Sequence, residues 1–116
     1  MQENSGYKAF TAGEALATNR LVKLSSGNVV YADSDEAFIG STEFGCASGD
    51  VVTVRLKNVS GTVELVASEA ASVGATLYTA NDGKVADTNP EDAGTARAIA
   101  LEASTADGDL IECLIL

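Results

Sequence analysis

The chain predicts an all-β protein, a small barrel or sandwich, on three observations. Its apolar runs are four to eight residues long, rich in Val, Ile and Thr, and bounded by Gly, Asn, Asp or Ser. Turn signals recur between these runs, whereas helical periodicity is confined to one candidate turn, Ser68–Ser72, ended by Gly74. The 116 residues suffice for one domain with its own core, without metal or disulfide support.

The elements follow in order. Met1 to Thr11 is polar with isolated Tyr7 and Phe10, too sparse in apolar residues for a core element, and is expected to be a flexible N-terminal arm (residues 1–12) before a single β domain (residues 13–116). Such an arm can order on a partner, with Tyr7 and Phe10 as anchors. Leu21 to Leu24 and Val29 to Tyr31 flank Ser25-Ser26-Gly27-Asn28 and predict a hairpin. Val51 to Lys57 alternates, with Val52, Val54 and Leu56 on one face and Thr53, Arg55 and Lys57 on the other; Thr62 to Ala67 opposes Val63 and Leu65 to Thr62 and Glu64. Asn81-Asp82-Gly83 is a second hairpin signal, because Gly, Asn and Asp tolerate the positive φ of a tight turn. In Leu110 to Leu116, Ile111, Cys113 and Ile115 share one face and Leu110, Glu112, Leu114 and Leu116 the other, so this strand is expected to be covered on both sides. Pro90 marks the most loop-like interior stretch.

A weak internal repeat relates residues 20–57 to 76–116, the first dozen residues standing outside it. Leu21, Gly27 and Val29 align with Leu77, Gly83 and Val85, Ile39 with Ile99, and Gly49-Asp50 with Gly108-Asp109. Two hairpin-containing halves would then make the fold, reducing exposed sheet edges.

Composition narrows function. With 17 Asp+Glu against 7 Lys+Arg the net charge is −10, which disfavours nucleic acid and anionic membranes alike. No secretory or membrane-spanning segment is read in the sequence, which places the chain in a reducing cytosol and favours free thiols at Cys46 and Cys113. There is no histidine, hence no imidazole base or ligand, and no phosphate-cradling glycine loop. Asp33-Ser34-Asp35-Glu36 fails as a calcium loop, since Phe38 and Phe44 stand where Gly and Glu are required. Asp107-Gly108-Asp109 with Glu112 reads as a solvated turn, and Asn58-Val59-Ser60 as a loop. No catalytic, cofactor or metal site is expected; the chain is read as no enzyme.

The order of motifs resembles the capsid decoration, or cement, proteins of tailed bacteriophages. The carrying stretches are Phe10 to Leu16, Val22 to Gly27, Gly49 to Leu56, Val73 to Tyr78, Asp82 to Val85, and Ile99 to Ala103 leading into Asp107 to Glu112. Two stretches depart from the pattern: Arg97-Ala98-Ile99-Ala100-Leu101 has Ala beside its central hydrophobic residue where such proteins often have Gly, and Glu43-Phe44-Gly45-Cys46 replaces smaller residues. The resemblance implies an all-β virion protein, assembled in the host cytoplasm. It would bind the outer surface of the mature head, commonly as a homotrimer, and stabilise it by bridging neighbouring major capsid protein subunits. It also implies no cofactor, nucleic acid or membrane partner. Tyr7, Lys8, Phe10 and Thr11 are the expected capsid-binding residues. A small β-sandwich module for carbohydrate or peptide is the alternative, weakened by only three Tyr, three Phe and no Trp.

Overall fold

A computed structural model describes residues 5–116. Ten strands run β1 (Tyr7–Thr11), β2 (Leu21–Ser25), β3 (Asn28–Tyr31), β4 (Gly40–Thr42), β5 (Val51–Leu56), β6 (Val63–Val66), β7 (Thr76–Ala80), β8 (Lys84–Ala86), β9 (Ala98–Ala100) and β10 (Leu110–Ile115). They form two five-stranded antiparallel sheets, ordered β1-β5-β4-β2-β3 and β6-β10-β9-β7-β8, and not one closed barrel. The all-β, two-half expectation is met. Over Tyr7–Thr11 the expected arm is the strand β1, paired with β5 from Tyr7↔Arg55 to Thr11↔Val51, and β1 holds in its sheet the place that β6 holds in the other.

Turn chemistry sets both hairpins. Ser26 and Gly27, both at positive φ, close β2 on β3 with Ser25 opposite Asn28. The loop between β7 and β8 is one residue longer, a 3-10 turn over Asn81–Gly83 with positive φ at Asp82 and Gly83. That extra residue corrects the alignment of the halves. Val22, opposite both Tyr31 and Gly40, corresponds to Leu77, opposite Ala98, so Leu21 corresponds to Thr76 and not to Leu77. Likewise Gly40, opposite Leu56, corresponds to Ala98, opposite Ile115, which moves Ile39 out of correspondence with Ile99. A slip of one residue reverses the face of a strand. Leu21 therefore points out of its own sheet.

The candidate helical turn Ser68–Ser72 is not helical. Ser68 N–H donates to Val85, while Ala71 and Ser104 exchange backbone bonds, so long-range pairing overrides local propensity. The same bonds recur in the first half: Gly13 donates to Val29, and Leu16 and Cys46 exchange backbone bonds. In each sheet the outer edge of one terminal strand, β3 or β8, is thus covered by the chain itself.

Two apolar clusters fill the 38 × 25 × 24 Å molecule. Ala12, Leu16, Val22, Val29, Val52 and Val54 fill the first sheet, with Phe10, Tyr31 and Leu56 packed against them. The second sheet's cluster, including Leu65, Leu77, Val85, Ile111 and Cys113, is completed by Leu21, Ala32 and Phe38 from the first half. A polar seam reinforces this join. Ser34 N–H donates to Asn81 Oδ1 and Asp82 N–H to Asp33 Oδ1, both at 3.0 Å; Thr79 Oγ1 donates to the Glu36 carbonyl, and Arg20 Nη1 to the Asp82 carbonyl. The second expectation to fail concerns β10. Ile111 and Cys113 are buried, but Leu110, Leu114 and Leu116 are 47%, 43% and 66% exposed, so the described residues leave that face uncovered.

Candidate functional site

Several of the carboxylates are committed to structure. Asp33 and Glu36 brace the seam loop, Glu36 also pairing with Lys23, whose ammonium holds its carboxyl below the usual range. Asp109 accepts from the Thr105 amide at 2.8 Å and from the Thr105 hydroxyl, which lowers its pKa, and Asp107 pairs with Lys84 at 2.8 Å. Among the described residues no group of three His, Cys, Asp or Glu could hold a metal ion, and no helix is long and apolar enough to cross a membrane. An open polar groove of about 420 Å³, lined by Glu69, Lys84, Thr88 and Asp107, is a shallow surface feature shared by paired side chains. Both cysteines are free; burial pushes the Cys113 thiol up to about 12, which suppresses its thiolate.

What remains unfilled is sheet surface. Leu56 N–H donates to the Gly6 carbonyl and Ala12 N–H to Asp50, so the even-numbered residues of β1 turn their backbone groups to β5. The odd-numbered ones turn theirs outward. Ser5 Oγ takes up the outward groups of Tyr7; among the described residues, no partner takes up those of the exposed Ala9, which lies on the open part of this edge. The four expected binding residues do not share a face. Tyr7 and Thr11 are exposed, alongside Val51, which is 64% exposed, and the half-buried Arg55. Lys8 and Phe10 lie on the opposite, half-buried face, where Phe10 packs on the first cluster. Phe10 is thereby engaged in the core.

The second sheet offers a more apolar outer face that the sequence reading took as covered. Leu110 pairs with Val66 and Leu114 with Ile99, and Leu101 adjoins them at 39% exposure. Between the leucines Glu112 stands opposite Glu64. Because Ala67 N–H donates to Asp109, this is a non-hydrogen-bonded pair, the class in which side chains approach closest, with Cα atoms about 4.5 Å apart. Thr62 Oγ1 donates to Glu112 Oε2 at 2.7 Å, and the Glu112 N–H donates to Glu102 Oε1, which brings a third carboxylate beside the pair. The alternation of β10 was the signal for this face; its partner Glu64 needed the register.

Comparison with known proteins agrees with the fold. The N base of head fiber gp8.5 of bacteriophage phi29, a solved structure, is similar with a TM-score of 0.80 at 20% identity, covering 95% of this chain and 92% of that one. No curated protein sequence matches. A model described as phage cement protein matches residues 2–115. On that match over nearly its whole length, the chain belongs to the phage cement protein family.

Proposed function

We propose that the protein decorates the outer surface of the mature phage head and stabilises it by bridging neighbouring major capsid protein subunits. The carrying observation is the family match over residues 2–115, which supports a capsid-associated role without catalysis. A head packed with DNA is under outward pressure, and a clamp adds contacts that must break before the shell opens. Copies joined as a homotrimer would release slowly, since all must let go together. The β1 segment carries the first contact: Tyr7 and Thr11 supply exposed side chains, Lys8 a charge on the opposite, half-buried face, and Phe10 holds the strand on its core. The open edge at Ala9 can accept a strand from the shell.

Co-sedimentation with purified expanded heads, against unexpanded proheads, tests this. Ala9→Pro removes an outward N–H and no ladder bond to β5, so the variant should fold with an unchanged melting temperature and bind heads at least about ten-fold more weakly. Undiminished binding by a folded Ala9→Pro protein would exclude strand addition; wild-type protein that does not sediment with heads would exclude decoration.

A further inference from the structure

We infer that the outer face of β6, β10 and β9 is a second docking surface, and that its partner is a shell-protein surface presenting a Lys or Arg ringed by apolar side chains. This deepens the capsid reading and rests on it. The free protein offers this carboxylate pair a neutral hydroxyl, that of Thr62, and, among the described residues, no ion-paired cation. Leu110, Leu114 and Leu101 stand exposed, and the ladder places Glu64 opposite Glu112 among them. Like charges directly opposite across a strand pair are destabilising. A cation placed between the two carboxylates reverses that sign, and apolar neighbours closing over Leu110 and Leu114 remove the site from water, where the attraction is stronger.

Charge disfavours a contact in which this face meets the same face of a second copy. Residues 59–116 carry ten Asp or Glu and two Lys or Arg, against seven and five in residues 1–58, so the half bearing this face has a net charge of −8 and the other −2. Two such faces meeting would set four carboxylates together. The corresponding outer face of the first sheet has Arg55 where this one has Leu114, and Thr53 where it has Glu112. The guanidinium there is already bonded to the Ser60 carbonyl at 3.3 Å. With β1 on one sheet and this face on the other, one chain holds two contacts on separate halves, which is what spanning two neighbouring subunits requires.

The test compares wild type, Glu64→Gln with Glu112→Gln, and Leu110→Ser with Leu114→Ser in head co-sedimentation, each also melted and sized alone. The glutamine pair should melt at the same or a higher temperature than wild type, yet bind heads at least ten-fold more weakly. The serine pair should lose binding similarly. Full binding by the glutamine pair overturns the inference while the capsid reading stands on wild-type binding. A wild-type oligomer that both variants dissociate overturns it too, assigning the face to contacts between copies. Wild-type protein that ignores heads ends both.

Discussion

Gly40 and Ala98 occupy the same place in the two halves, yet only one tolerates a methyl group. A Cβ on Gly40 would lie 2.1 Å from the Arg55 carbonyl oxygen and 2.8 Å from Val54 Cγ1, and the first of these is backbone that cannot rotate away. Gly40→Ala should therefore destabilise by about 1–3 kcal/mol through overpacking, whereas Ala98→Gly should cost about 1 kcal/mol in chain entropy and lost contact. Denaturant melts of both variants check the contrast. Asp87 gives a pH-dependent case. Slight desolvation of this exposed carboxyl and the Glu69 carboxylate beside it raise its pKa, while the Thr88 hydroxyl, followed by the Thr88 amide, lowers that of Glu69. A raised carboxyl pKa means the folded state holds the proton more tightly, so this group favours folding at low pH and that help is lost as pH rises through its folded pKa. Once Asp87 is ionised, the two carboxylates repel. Asp87→Asn should then raise stability at pH 7 by up to about 0.5 kcal/mol. The gain should vanish below about pH 4, where Asp87 is protonated. Thermal melts at the two pH values decide this.

At the scale of elements, the β2–β3 hairpin places Ser26 at φ 51 and Gly27 at φ 84 in a two-residue loop. Asn tolerates that region better than Ser, so Ser26→Asn should stabilise by about 0.5 kcal/mol, read from the denaturation midpoint. This hairpin was legible because its turn residues lie next to one another in the chain. So were the faces of β5, β6 and β10, since alternation needs no knowledge of partners. Ser68–Ser72 was misread because the bonds that hold it extended come from Val85 and Ser104, far away in sequence. The slip between Leu21 and Leu77 has a similar origin: identity of residue type suggested one spacing, and the longer loop at Asn81–Gly83 imposed another. For the candidate surfaces, the polar character of Tyr7 to Thr11 follows from the sequence, but which of its residues are exposed does not, since charged Lys8 shares the half-buried face of Phe10. The opposition of Glu64 and Glu112 does not follow either, because cross-strand register is a property of the folded sheet.

For the whole molecule, the two halves share a strand order but not independence. The second sheet's cluster lacks a wall of its own where Leu21, Ala32 and Phe38 enter it, all 5% exposed or less. The polar seam around Asp33, Ser34 and Asn81 then fixes the angle at which they enter. On the proposed bridging role, a clamp under outward load would have to transmit force between its contacts, and a flexible joint between halves would let one contact yield while the other held. Packing one half's side chains into the other's core removes that joint. Phe38→Ala should accordingly cost about 3–5 kcal/mol. The loss should appear as an earlier but still single unfolding transition, seen alike by near-UV and far-UV circular dichroism, if the halves are one cooperative unit. Separation into two transitions in the wild-type protein would show instead that each half melts alone, and that the seam carries no load between them.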